Sequence, residues 1–428
     1  MAVTTDWSMD RAVAEMIDAG AFGSGSEFVA LEPDSQRTGQ DQYASTVYFG
    51  TAIVRDRDRD RHSHQLVFKL KHRDPGLRDL YCADWQFHNE ILFYERISPF
   101  FEGYAPTADH VPPLARYYYG RNDCGDRVLG DMVVLENAGT RGYRLSEQRL
   151  YLDRDHIVVA LRTLAKFHGL SYRANHENPV KFAEMIADVK ETQLRGDDDD
   201  WMLPGFSYIA SRLLSVALDR VTERRVAGGD DDDDVNRIRR FRTKFLDEIT
   251  RTLRRLLRPV EQSLATLCHG DFNRNNLLFR YDDDGRPVDA LPFDLATVRY
   301  GSPALDLSFF LYMNTDRRIR DERWDELLDT YCASLAAAVS DVADVVRVPD
   351  RPQLDAEMRE YGVYGLVHVS YFVRVMMAEN LVVDPSSFVE SDIDTSFEIL
   401  MSYGGDKATD LVADAVQHYL DTYGSCTE

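Results

Sequence analysis

Apolar positions change their rhythm along the chain, and the change divides it. Met9, Val13, Met16 and Ile17 recur on one helical face, behind a capping Ser8 and ahead of Gly20, and predict an early helix. From Tyr43 to about Leu70 the segments TVYFGTAIV and QLVFKLK, rich in β-branched and aromatic residues, flank the charged RDRDRDRHSH stretch. They predict a hairpin with Lys69 in its second strand. Leu80, Phe87, Ile91 and Tyr94 return to helical spacing between Arg78 and Ile97, and VLGDMVVLEN at 128–137 predicts a further strand. Beyond Tyr151 the pattern is mainly helical: Ile157, Leu161, Leu164, Ala165 and His168 share a stripe, and periodic segments run to Gly228 and again from Val235. Near 277–294 two short strands, LLFRY and DALPF, flank an Asp-Gly turn. GGDDDDD at 228–234 is expected to be a solvated interhelical loop. The fold class that follows is α+β and two-lobed, with a sheet-bearing lobe over 1–137 and a larger helical lobe over 138–428.

Composition narrows the partners. At 428 residues, 44% hydrophobic and 29% charged, the chain is of the globular class and can bury a sizeable core. A net charge of −23 repels phosphate backbones and argues against nucleic acid, while leaving neutral or cationic small molecules open. Much of the excess lies in the aspartate runs at 197–200, 230–234 and 282–284, which fit solvated loops. Cys82, Cys124, Cys268, Cys332 and Cys426 are widely spaced without a C-x-x-C pair, as expected for free thiols in a reducing compartment. The first residues lack a basic flank with an apolar stretch, and no apolar run approaches the ~18 residues that span a bilayer. The expectation is a cytoplasmic protein without membrane insertion or an obligate protein partner.

The chemistry concentrates in His269-Gly270-Asp271-Phe272-Asn273-Arg274-Asn275-Asn276, just before a predicted strand, with Asp294 just after the next one. Phosphoryl transfer from ATP needs a carboxylate to orient the accepting hydroxyl and oxygen ligands for Mg2+. Asp271 suits the first role; Asn276 and Asp294 suit the second. Lys69, an ammonium in an apolar strand, is placed to meet nucleotide phosphates. Glu90, adjoining its helix's apolar stripe, needs a partner and is expected to pair with it. The turn containing Gly39 and leading to Ser45 is either a phosphate-covering turn or an ordinary one. Leu135, Glu136 and Asn137, where the chain leaves the sheet, are the positional candidates for binding adenine. His168 is expected to be a core histidine, His269 a loop brace, and Asp306 a residue that caps or braces the loop.

With these motifs in place the chain resembles the ecdysteroid kinase-like family, relatives of choline kinases and aminoglycoside phosphotransferases. QYASTVYFG, VFKLKHRD, FHNEILFYERI, VVLENAG, LAKFHGLSY, LCHGDFNRNNLLFRYDDDGRP and FDLATVRYGSPALDLSFFLY carry the resemblance, in the family's order. It implies a protein-kinase-like fold, ATP and Mg2+ as cofactors, Lys69 and Glu90 as an ion pair, Asp271 as catalytic base or orienter, and Asn276 and Asp294 as metal ligands. It further implies phosphorylation of a small hydroxyl-bearing molecule, an ecdysteroid or related lipophilic alcohol. Two positions depart from the family: Asn273 stands where an aromatic residue is usual, and Leu295 where Gln is usual. Protein kinases fit less well, because H-G-D replaces H-R-D, Asp294-Leu295-Ala296 replaces D-F-G, and a short span to Asp306 leaves little room for an activation segment. A choline- or aminoglycoside-type kinase and an inactive nucleotide-binding relative are the alternatives.

Overall fold

The helix Met9–Asp18 (α1) lays its apolar stripe on an antiparallel sheet of five strands: β1 (Glu27–Thr38), β2 (Ser45–Arg55), β3 (Arg61–Lys71), β4 (Tyr117–Arg121) and β5 (Met132–Glu136). Their order is β1-β2-β3-β5-β4. The computed structural model describes residues 9–38, 45–124, 130–194, 205–228, 232–258, 264–378 and 391–424. Strand β5 shows why the sheet holds: Met132 and Val134 join Ala12, Val13, Met16 and Phe68 on one face, while Val133 and Leu135 face Phe87 on the other. A strand buried on both faces is apolar throughout, with side chains alternating by twos.

Between β3 and β4 lie α2 (Pro75–Leu80), α3 (Ala83–Leu92), a π-helical turn at Phe93–Ile97, and α4 (Ser98–Glu102). The single helix expected between Arg78 and Ile97 is therefore broken, at Tyr81 and Cys82, where Cys82 takes a left-handed φ of 50°. The charged turn of the first hairpin is also shorter than expected: Arg61, His62 and Ser63 are strand, paired with Arg55, Val54 and Ile53. Strands β1 and β4, each at a sheet edge, go beyond what the sequence pattern predicts. Pro33 and the polar residues of β1 are tolerated because an edge strand forms a ladder on one side only.

The rest is mainly helical: α5 (Arg154–Glu177), α6 (Pro179–Asp188), α7 (Phe206–Gly228), α8 (Asp232–Phe241), α9 (Ile249–Leu257), α10 (Pro303–Asn314), α11 (Arg317–Ala338), α12 (Arg351–Met377), α13 (Ile393–Ser402) and α14 (Gly405–Tyr423). Part of the expected 228–234 loop is thus helix, since α8 begins at Asp232. Two small antiparallel pairs interrupt the helices: β6 (Thr266–Cys268) with β9 (Arg299–Gly301), and the hairpin β7 (Leu277–Tyr281) with β8 (Pro287–Pro292). A cluster of Phe87, Phe93 and Val133 with Phe167, Leu170, Leu267 and Leu295 joins sheet, α3 and helical part. The arrangement is the α+β, protein-kinase-like one the sequence predicts. Among the described residues no helix is long and apolar enough to cross a membrane, and four cysteines are unpaired.

Candidate active site

Strand β6 hands the chain to the loop 269–276, and one buried carboxylate shapes its start. Asp306, in the first turn of α10, accepts from His269 N at 2.7 Å and Gly270 N at 2.8 Å. His168 Nε2 lies 3.1 Å from the same carboxylate, and His168 Nδ1 lies 2.7 Å from the Tyr331 hydroxyl. Burial works against the Asp306 charge, but His168, the field of His269 and the Gly270 amide outweigh it and hold its carboxyl below the usual range. His168, Cys268 and Asp306 offer atoms within 4.8 Å of one another, yet the bonds just described occupy His168 and Asp306, so the trio serves as a brace for the loop. Gly270 must be glycine: its φ is +83°, and a Cβ there would stand 2.0 Å from the carbonyl oxygen of Thr297.

The loop then presents Asp271 with both oxygens held. Asn273 Nδ2 donates to Oδ1 at 2.8 Å, and Asn276 Nδ2 donates to Oδ2 at 2.7 Å. Packing around the carboxylate and the nearby Asp294 charge push its pKa up to about 7, with the two amides partly opposing the rise. The hairpin β7–β8 brings the next group into place. Phe293 N donates to Asn276 O at 3.0 Å, so Asp294 follows the residue facing Asn276. Asp294 holds a left-handed backbone, φ 62° and ψ 58°, a strained conformation for a residue with a side chain.

Lys69 reaches this point from β3. Its Nζ lies 2.7 Å from Glu90 Oε2 and 2.5 Å from Asp294 Oδ1. Burial works against the ammonium charge, but Asp294 and Glu90 more than offset it, and its pKa stands above the ordinary lysine value. Burial pushes the Glu90 carboxyl up while the Lys69 charge pulls it down. Helix α3 is fixed here by Asn89, whose Nδ2 donates to Ala296 O at 3.1 Å and Lys190 O at 2.8 Å, and whose Oδ1 accepts from Lys190 N at 2.8 Å.

The expected nucleotide contacts are a looser set. Gly39 and residues 40–44 lie outside the described residues, and Ser45 opens β2 opposite Lys71, with Val47 opposite Lys69. Leu135, Glu136 and Asn137 do end the sheet. The Glu136 amide, however, donates to Arg116 O and the Asn137 amide to Gln65 O, while Asn137 Oδ1 caps Gly139 N. Those two amides are committed. The donor set fits Mg2+: Asn276 spends its amide nitrogen on Asp271 and keeps its oxygen, and the Asp294 side chain is 30% exposed, so both offer the hard oxygens this cation takes. Sequence reasoning missed Asn89, and it noted Asn273 only as a departure from family usage. The one available signal for Asn89 is a buried-helix position next to Glu90.

Residues 39–343, well over half of the chain, match the ecdysteroid kinase-like family. No curated protein sequence matches the chain. Among solved structures, a choline/ethanolamine kinase family protein from Mesorhizobium loti shares 12% identity, over 95% of this chain and 99% of that one, with a TM-score of 0.32, too low to carry an argument. The family match supports a small-molecule kinase. By that match, and with its motifs gathered at one site, the chain belongs to the ecdysteroid kinase-like family.

Proposed function

We propose that the protein transfers the γ-phosphoryl group of Mg-ATP to a hydroxyl of a small lipophilic alcohol, an ecdysteroid or related steroid. The observation that carries this reading is the meeting of Lys69, Glu90 and Asp294 within hydrogen-bonding distance, beside a loop that presents Asp271 and Asn276. Bound Mg-ATP supplies the phosphoryl group and the metal's neutralising charge. Asn276 and Asp294 would hold the metal, and Lys69, steadied by Glu90, would hold the nucleotide phosphates. Asp271 accepts a hydrogen bond from the acceptor hydroxyl, orients it, and receives its proton as the new O–P bond forms and the bond from the γ-phosphorus to the bridging oxygen breaks, releasing ADP. Family membership supports the lipophilic acceptor, and so does one half-buried side chain of α12, Met376. The Met376 sulfur lies 3.6 Å from Asn275 Nδ2 in the catalytic loop.

A cationic amino-alcohol acceptor is the second reading, favoured by the net charge of −23. The deciding experiment is Mg-ATP turnover against ecdysteroids, other sterols, choline and aminoglycosides, read by product mass. A gain of one phosphate on a steroid, reduced by ~10² or more in Asp271→Asn with ATP binding retained, is the expected result. Phosphorylation of choline alone would select the second reading, and near-native turnover in Asp271→Asn would remove that residue from its role.

A further inference from the structure

The side-chain amide of Asn273 has its orientation set by the loop itself. Its Oδ1 accepts from the backbone N–H of Asn275 at 2.9 Å, which identifies the other end as nitrogen. That nitrogen faces Asp271, 2.8 Å from Oδ1 and 3.1 Å from the backbone carbonyl. Asn276 mirrors it, with Nδ2 2.7 Å from Asp271 Oδ2 and 3.0 Å from the same carbonyl. The terminal torsion of an aspartate is soft and nearly two-fold, so a lone carboxylate swings through a wide arc. Two donors, one on each oxygen, fix its plane. Asn276 also has a prospective metal to serve, whereas Asn273, buried and bonded at both ends within 271–275, has none.

We propose that Asn273 is a positioning residue for phosphoryl transfer, holding the Asp271 carboxylate in the plane from which it meets the acceptor hydroxyl. The inference rests on the phosphotransferase reading and deepens it. Asn273 also caps the short turn Arg274–Asn276, so the test must separate the two duties. Aspartate caps as well as asparagine does, but beside Asp271 it could donate only by sharing a proton, which occupies the oxygen that must stay free to serve the acceptor, and alanine could do neither. Both Asn273→Asp and Asn273→Ala should lower kcat by ~10-fold or more, with KM for ATP held within ~2-fold, because misplacement of a catalytic group costs rate and not nucleotide affinity.

A capping role alone predicts native turnover in Asn273→Asp and loss only in Asn273→Ala; that pattern overturns the proposal. The contact itself is tested without turnover, by urea unfolding of Asn273→Asp, Asp271→Asn and the double variant. Asn273→Asp should lower the midpoint, and the double variant, which restores a donor–acceptor pair, should recover most of the loss. Strictly additive midpoints would show that no bond joins the two side chains. If the native protein phosphorylates none of the acceptors, the phosphotransferase reading fails and the positioning role falls with it. Coupled midpoints would in that case still establish the contact.

Discussion

Two lysines stand two residues apart on β3, on one face, with the Phe87 ring 5.9 Å from one ammonium and 5.3 Å from the other, yet their surroundings do opposite things. Lys71 bonds Asp131 at 2.8 Å and Asp84 at 2.7 Å, and also Asn122. Asp131 in turn accepts from the amides of Asp123 at 2.8 Å and Cys124 at 3.1 Å. The Lys71 and Asp131 side chains have no exposure at all, while Asp84 keeps half of its surface in water. Every negative oxygen there is answered by a donor or by solvent. Around Lys69 the account does not balance. Glu90 and Asp294 share its single ammonium, and Asp271 feels the Asp294 charge strongly enough to lift its own pKa. Three carboxylates against one ammonium make a site that attracts cations. The Lys71 cluster neutralises itself, and the candidate site keeps an excess of carboxylates over cations, as a site awaiting a cation would.

The sharpest way to break this comparison is to remove each lysine in turn. Lys71→Met should cost ~3–5 kcal/mol of stability, because it leaves Asp131 buried without its cation, while turnover per folded molecule stays native. A loss under ~1 kcal/mol in urea unfolding would dissolve the distinction. Lys69→Met should do the reverse, lowering kcat/KM for ATP by ~10² while costing only ~1–2 kcal/mol, since Glu90 can take up a proton instead. A next, smaller effect sharpens the imbalance. Mg-ATP should raise the melting temperature of the native protein by several degrees, and by much less in Asp294→Ala, which lacks a charged ligand. Equal shifts in the two proteins would take Asp294 out of the metal site.

The smallest effect is on pH, where sheet and helices differ in sign. Burial holds His368 down at about 3 and His418 at about 4, below their unfolded value. Their contribution is full above pH 6.5 and is lost as pH falls toward those values, by up to ~1.4 kcal/mol per unit for each. Burial opposes the Lys71 charge, but Asp131 and Asp84 raise its pKa, so its contribution persists up to 10.5 and is lost only above it. Urea midpoints at pH 7 and 5 should therefore converge in His368→Phe; an unchanged gap would count against the buried imidazole.

Much of the site was legible because its parts are short-range. The spacing from Asp271 to Asn276, the strands on either side and the following Asp294 can be read from consecutive residues. The Lys69–Glu90 pair is legible too, since each charge interrupts an apolar pattern and needs the other. What stayed hidden is assembled from distant segments. The partners of Lys71 come from α3, from 122–124 and from the residue before β5, and none of those aspartates differs in type from the solvated ones nearby. Strands β1 and β4 escaped because edge strands need no full apolar alternation, and the break at Cys82 leaves no glycine or proline at the left-handed residue to mark it. The candidate adenine-binding groups at 135–137 were placed by position alone, and two of those amides prove to be engaged within the protein.

Asn89 decides how the site can be governed. Swinging α3 outward, and Glu90 with it, would break the three bonds that tie Asn89 to Lys190 and Ala296. At ~1 kcal/mol net for each, that restraint alone keeps the displaced helix to about one molecule in a hundred. A lever so firmly latched gives an effector little to pull on. Glu90 therefore stands beside Lys69 before any ligand arrives.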